Sequence, residues 1–301
     1  MNIERHPDAI VIGAGVIGAT ITLELARRGY RTLCVDKLPA SGYGSTSNSC
    51  AIIRTHYSTL DGTALAWESY HHWKNWGEYL GFEDERGLAR FIETGMVVVR
   101  SEEATYQQHL TFHDELGIEY EEWEADTLRS KVPFYDVTAY YPPRRLDDEK
   151  FGIPSGKEHP GAVFLPHAGY INDPQLATHN LQRSAEAAGA SFEFNAEVVE
   201  IRREGGRVKG ITLDDGRAVA AAVVVNAAGP HSAVVNRMAG VEQEMKVGTR
   251  PLRKEVHFLP FPKGGQGQSY GRLASDADVG VYSREEAGGL ILVGSIDPEC
   301  D

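Results

Sequence analysis

Near the start of the chain, Gly13-Ala14-Gly15-Val16-Ile17-Gly18 sets three glycines in a G-x-G-x-x-G spacing, and an acid, Asp36, follows eighteen residues after the last of them. Each residue type has a chemical use. Gly13 permits a tight turn, and Gly18 lets a helix and a strand pack closely. Gly15 has no Cβ, so an anion can lie against bare backbone at a helix N-terminus, where free N–H groups and the dipole attract negative charge. Asp36 can accept hydrogen bonds from a ribose hydroxyl. Together they form the fingerprint of a dinucleotide site in a strand–helix–strand unit.

A second group of chemical residues follows. Residues 38–50 are small, glycine-spaced and hydroxyl-rich, with Ser45, Thr46 and Ser47 able to present backbone N–H groups to a phosphate. A segment of this composition is often only a flexible polar loop. The apolar Ala51-Ile52-Ile53 that ends it argues for burial, and Arg54, His56 and Tyr57 come directly after. Arg54 is either a cation for a bound anion or half of a salt bridge, and His56 either meets ligand or is a hydrogen-bonded structural histidine. In Val281-Tyr282-Ser283-Arg284, alternation puts Tyr282 and Arg284 on one strand face. An arginine there can fork onto a carboxylate or simply face water. Lys254 and His257 are weaker candidates of the same kind. Metal-ligand spacing, G-x-S-x-G, H-E-x-x-H and paired-carboxylate patterns are all missing, so no metal centre or nucleophilic triad is expected.

The elements that must position these residues are legible in outline. Residues 9–12 form a continuous apolar run, as in a parallel strand covered on both faces. Residues 16–28 read as a helix stopped by Gly29, and residues 31–36 as the next strand. Residues 59–81 carry Trp67, Tyr70, Trp73, Trp76 and Leu80 at helical spacing, expected to pack on a sheet rather than form an aromatic cage. Three short strands at 197–201, 210–213 and 218–220, joined by Gly205-Gly206 and Asp214-Asp215-Gly216, read as a meander. The run from Ala222 to Gly229 reads as another buried strand ending in small residues. Residues 94–100, 253–259, 280–283 and 290–294 read as strands of an antiparallel sheet with one open face. Residues 144–160 read as a long loop, and the acidic stretches 83–85 and 114–124 as solvated surface.

Composition narrows the function classes. The 301 residues carry a formal charge of −13, which opposes general affinity for nucleic acid or anionic lipid. Three cysteines without a CxxC pair suit a reducing compartment better than a disulfide framework. The apolar start lacks the flanks of a signal peptide, and no run reaches membrane-spanning length, so a cytoplasmic location is expected.

The acid-plus-base pair Asp36-Lys37, followed by Gly44-Ser45-Thr46-Ser47-Asn48-Ser49-Cys50-Ala51-Ile52-Ile53-Arg54, resembles the D-amino-acid oxidase (DAO) superfamily of FAD enzymes, and within it the sarcosine and dimethylglycine oxidoreductase branch. NAD dehydrogenases do not usually carry this segment. His167-Ala168-Gly169-Tyr170-Ile171-Asn172-Asp173-Pro174 is similar to the family's G-x-I-D-P helix entry, with one added residue, and Val225-Asn226-Ala227-Ala228-Gly229 to its late strand and turn beside FAD.

The resemblance implies an α/β fold, α+β overall. It has a Rossmann-type FAD-binding domain with a β-meander, residues 1–82 and 150–240, and an antiparallel-sheet substrate domain, residues 83–149 and 241–301. It implies FAD, held non-covalently, on Gly13, Gly15, Val16, Ile17, Gly18, Asp36, Lys37, Ser45, Thr46, Ser47, Ile53, Arg54, the backbone of Val198, Ala227, Ala228 and Gly229. Arg54 would lie near the flavin ring, with His56, Tyr282 and Arg284 as the other catalytic candidates. The implied activity is oxidation of the C–N bond of a secondary amine or amino acid, such as sarcosine, dimethylglycine or proline, by hydride transfer to flavin. The electron acceptor would be oxygen or another compound. Alternatives are a 2-hydroxy acid or glycerol-3-phosphate oxidoreductase, or a non-catalytic flavoprotein subunit in a homo- or hetero-oligomer. Family members continue past the point matching residue 301 with a glycine-rich turn against the flavin, so a C-terminal portion is expected outside this sequence.

Overall fold

The computed structural model describes residues 6–101, 105–133, 135–261 and 273–296; Cys300 and the terminal stretch 297–301 lie outside them. In chain order the elements are β1 (Ala9–Ile12), α1 (Val16–Arg27), β2 (Thr32–Asp36), β3 (Ile52–Ile53), α2 (Leu60–Lys74), α3 (Trp76–Leu80), β4 (Phe91–Glu93), β5 (Met96–Val99), α4 (Thr105–Leu116), β6 (Glu121–Glu124) and α5 (Ala125–Lys131). Then come β7 (Gly161–Leu165), β8 (Gly169–Ile171), α6 (Pro174–Ala187), β9 (Ser191–Phe194), β10 (Val198–Glu204), β11 (Arg207–Leu213), β12 (Ala218–Ala220), β13 (Val223–Asn226), α7 (Ser232–Met238), β14 (Val256–Pro260), β15 (Leu273–Asp276), β16 (Val281–Glu286) and β17 (Leu290–Ser295). Among the described residues no helix is long and apolar enough to cross a membrane.

The first of two units holds Met1–Ala51, Asn75–Arg90 and Ile171–Leu252. Its parallel sheet runs β13-β1-β2-β9. Strand β1 is apolar throughout because both of its faces are covered. Ile10, Ile12 and Val35 pack toward the β10-β11-β12 meander and Val235 of α7, while Val11 and Cys34 pack with Ile21 and Leu25 of α1. Helices α1 and α6 pack together, and both bury small residues, Ala19, Thr22 and Ala26 on α1 and Ala177, Ser184 and Ala185 on α6. Asp173 caps α6 as its sequence predicts: the side chain accepts from the Leu176 N–H at 2.8 Å, and Pro174 opens the first turn.

Asn180 of α6 is buried and uses its whole amide. Its Nδ2 donates to Asp84 at 2.7 Å and to the Gly87 carbonyl at 2.9 Å, and its Oδ1 accepts from the Ala89 N–H at 2.9 Å and from Trp76 Nε1 at 3.4 Å. Residues 83–85 are therefore not all solvated: Asp84 is buried because this amide and the Arg86 N–H satisfy its carboxylate. Asn180→Leu is expected to cost about 3 kcal/mol, since it strands a buried carboxylate and a buried N–H. A loss of unfolding free energy below about 0.5 kcal/mol, taken from the urea midpoint shift at constant slope, would contradict this.

The second unit holds Ile52–Lys74, Phe91–Tyr170 and Arg253–Asp301. Its larger sheet runs β14-β17-β16-β15-β5-β7-β6, and a small sheet runs β3-β8-β4. The large sheet is mixed, not wholly antiparallel, because β15 pairs with β5 in parallel, Leu273 opposite Met96. Those two strands come from distant segments, so no hairpin dictates their relative direction. Nor is one face open along β5. Met96 and Val98 pack with Leu110 of α4, and Val97 packs with Trp123, Leu128 and Val132.

The boundaries differ from those expected at 1–82, 83–149, 150–240 and 241–301. Helix α2 and residues 150–170 belong to the second unit, where β7 pairs with β5 and β6, and β3 pairs with β8. Residues 75–90 belong to the first unit through Trp76, Asp84, Ala89 and Asn180. The aromatic stretch 59–81 is thus two helices with a break at Asn75, not one continuous face. Residues 144–160 carry no helix or strand, as expected of a loop.

Candidate functional site

In the first unit the glycine turn is assembled by strict close approach. Gly13 sits at φ +104°, and a Cβ there would lie 2.4 Å from the Ala227 carbonyl oxygen. The Ala227 N–H donates to the Ile12 carbonyl at 2.9 Å, so the turn after β13 lies directly against the turn after β1. A Cβ on Gly18 would lie 1.8 Å from the Gly13 oxygen. At Gly15 the situation differs: an added Cβ would meet only the Thr46 hydroxyl, at 3.2 Å.

Gly15 caps α1 with no side-chain hydrogen bond, and the first turn carries no acid. Its leading amides are thus left to an external acceptor, apart from the Val16 N–H, which donates to Thr46 Oγ1 at 3.1 Å. The hydroxyl-rich segment is tied alongside: the Gly42 N–H donates to the Ala14 carbonyl and the Ser47 N–H to the Gly42 carbonyl, both at 2.9 Å. Ser45 and Ile17 are exposed.

Asp36 closes the base of the turn. One carboxylate oxygen accepts from the Ala14 N–H at 2.7 Å and the other from the Leu38 N–H at 2.9 Å. Its carbonyl accepts from the Ala196 N–H at 3.0 Å, which brings the buried Val198 at the start of β10 next to the end of β2. Lys37 instead ion-pairs with Glu197 at 3.7 Å, both largely exposed. Beyond β13, the Ala228 N–H donates to Asn226 Oδ1 at 3.2 Å, and at Gly229, φ +56°, a Cβ would meet nothing within 4 Å. An uncapped helix start, a backbone hollow at Gly15 and an acid at the end of β2 fit the diphosphate and ribose of a dinucleotide.

The remaining candidates belong to the second unit. Ile53 is held opposite Gly169 in β8. Arg54 folds back over its own neighbours: its Nη1 donates to the His56 carbonyl, approaches His56 Nδ1 at 3.4 Å, and its guanidinium lies 4.5 Å from the centroid of the Tyr57 ring. Among the described residues Arg54 has no carboxylate partner. That leaves a half-buried cation without its own counter-ion.

Arg284 is buried but differently served. It lies 4.4 Å over the Tyr170 ring, pairs with Glu286 at 2.7 Å and donates to the Glu285 carbonyl at 2.8 Å. Tyr170 is the register partner of Ile52, two residues before Arg54. Tyr282 spreads its ring across its cross-strand partner Gly294, where a Cβ would come within 2.3 Å of it. Lys254 precedes β14 rather than lying on it, and His257, on β14, is exposed beside Glu255.

His109 and His113 of α4 were missed, although their spacing of one helical turn is a usable signal. His109 Nδ1 lies 2.5 Å from His56 Nε2, and His113 Nε2 lies 3.0 Å from Thr55 Oγ1. Burial, then the charges of His109 and Arg54, push His56 down to about 3. Burial lowers His109 and His113 as well, so all three rings are neutral at neutral pH.

The family described as DAO, FAD dependent oxidoreductase, matches this sequence over residues 8–301. The chain belongs to the DAO family. FAD, rather than NAD, is therefore the cofactor of this family. Among relatives of this DAO-family chain, 4-methylaminobutanoate oxidase (formaldehyde-forming) of Paenarthrobacter nicotinovorans is 23% identical over 300 residues, covering 98% of the chain and 32% of that protein. Sarcosine oxidase subunit beta of Rhizobium meliloti (strain 1021) is 25% identical over 301 residues, covering 97% of the chain and 64% of that protein. The chain thus spans less than two thirds of either relative. Among solved structures, L-proline dehydrogenase from P. horikoshii superposes with a TM-score of 0.75 at 23% identity, covering 99% of the chain and 72% of that structure, which establishes a shared fold.

Proposed function

We propose that this DAO-family protein oxidises the C–N bond of a small secondary amine or amino acid that carries a carboxylate. The observation behind this reading is Arg54: a half-buried guanidinium with no carboxylate partner among the described residues, next to the segment that follows the dinucleotide turn. Burying a cation without an anion is costly, so such a group suits a site whose anion arrives as ligand. The two curated relatives described above are named for methylaminobutanoate and sarcosine, and the structural neighbour for L-proline; each compound joins an amine to a carboxylate.

FAD, when bound, supplies the two-electron acceptor. The chain's own residues bind and orient. The uncapped start of α1 and the hollow at Gly15 would hold the diphosphate, and Asp36 would accept from a ribose hydroxyl. Arg54 takes the carboxylate of the substrate or the negative charge that builds up near it. Arg284 and Tyr282 stand second to Arg54, because Arg284 already has Glu286 as counter-ion. One relative is named as a beta subunit, which supports including a hetero-oligomer in the proposal. A cytoplasmic location is also part of it, on the strength of three cysteines in 301 residues, Cys34 being a buried thiol.

The test is anaerobic bleaching of the flavin absorbance of the FAD-loaded protein. N-methylglycine or proline should bleach it. Bleaching by a 2-hydroxy acid alone would replace the amine reading, and no bleaching by either class would favour a non-catalytic subunit.

A further inference from the structure

We propose that His109 is a positioning residue for Arg54, acting through a tautomer-locked pair of imidazoles, His56 and His109. This rests on the reading of Arg54 as the group that receives an anion. The tautomers follow from partners that have only one role. A guanidinium can only donate, so His56 Nδ1, 3.4 Å from Arg54 Nη1, must offer its lone pair. In a neutral ring the proton of His56 then sits on Nε2, from which it is donated to His109 Nδ1 at 2.5 Å. His109 accordingly carries its own proton on Nε2.

A second link on the same helix anchors the arrangement. A carbonyl can only accept, so His113 Nδ1, 2.9 Å from the His109 carbonyl, carries the proton of that ring. His113 Nε2 is left to accept from Thr55 Oγ1 at 3.0 Å, and both of these residues are buried. Helix α4 therefore grips the two residues after Arg54 at two points. The His56 and His109 rings stand perpendicular with centroids 4.1 Å apart, a contact that fixes the plane of His56 and hence the direction of its Nδ1 lone pair. A charged imidazole here would set a second cation beside Arg54; two neutral rings leave the guanidinium as the single positive charge.

Removing the His109 acceptor leaves the His56 N–H without a partner and frees the ring that orients Arg54. The probe is acetate, titrated into the FAD-loaded full chain and read from the flavin visible band, with FAD content and thermal midpoint measured alongside. His109→Leu is expected to weaken acetate about tenfold at unchanged FAD content. His109→Asn, whose amide oxygen falls near the position of Nδ1, is expected to restore binding to within about threefold of the parent. Arg54→Met is expected to abolish it.

Acetate bound equally by His109→Leu and the parent, while Arg54→Met loses it, would overturn the role of His109 alone. Acetate bound equally by Arg54→Met would instead overturn the reading of Arg54. Nitrogen-15 histidine spectra of the parent provide a check independent of any variant. At about pH 7, His56 should show the Nε2–H form; an Nδ1–H form or an imidazolium would refute the lock.

Discussion

Gly15→Val is expected to give a folded protein that comes off the column without colour. The reason lies in the difference among the three glycines. At Gly18 an added Cβ would collide with the Gly13 carbonyl, and at Gly13 it would both collide with Ala227 and sit at φ +104°, so either change breaks the β1–α1 turn itself. At Gly15 the only neighbour is the hydroxyl of Thr46 at 3.2 Å, and the backbone is in the extended region at φ −71°, ψ 179°. A valine there asks only the end of the Thr46 side chain to shift and would occupy the place expected for the diphosphate.

The loss should be at least on the order of a hundredfold in FAD affinity, about 3 kcal/mol, because anion contacts at the start of α1 are lost together. Flavin absorbance after desalting measures the occupancy, and far-ultraviolet circular dichroism reports the fold. Stoichiometric FAD in this variant would refute the assignment of the turn. Gly18→Ala serves as the contrast, failing in both measurements.

Arg54→Ala is expected to slow flavin reduction by N-methylglycine on the order of a hundredfold while FAD stays bound. Arg54 follows the glycine turn in the chain and forms no part of it, so cofactor retention and reduction rate should separate. What is lost is a guanidinium held in one direction, by the His56 carbonyl, the His56 ring and the face of Tyr57. Lysine keeps the charge but not the planar fork, so Arg54→Lys should recover only part of the rate. Stopped-flow reduction under anaerobic conditions decides the matter. Kinetics identical to the parent would remove Arg54 from the site.

The dinucleotide unit was legible because its signals are local. A continuous apolar strand, glycines at fixed offsets, a helix stop and an acid at the end of the next strand all lie within thirty residues, and each has a physical meaning on its own. The meander and the return strand were legible for the same reason: short runs of β-branched residues separated by glycine turns. The sheet of the second unit was legible only in pieces. Its strands β6, β7 and β15 were missed, as was β9 of the first unit's sheet, and the parallel pairing of β15 with β5 joins segments more than 170 residues apart, which no periodicity encodes.

Burial of polar residues followed the same rule. Asp84 sits in an acidic stretch that reads as surface, and only Asn180, almost a hundred residues later, explains why it is inside. Lys37, a cofactor-site candidate by position, lies 3.7 Å from the exposed Glu197, a pairing visible only in the fold.

The amino-acid sequence alone determined the chemistry of the backbone turn and the kind of cofactor it suits, since a missing Cβ and an uncapped helix start are properties of residues a few positions apart. Tertiary structure decided which charges are answered. Arg54 and Arg284 are the same residue type on equally suggestive segments, but Glu286 lies at the second and, among the described residues, no acid pairs with the first, while two histidines of a separate helix close around the residues beside Arg54. Electrostatic balance depends on distance in space, and distance in space between far segments is set only when the chain has folded.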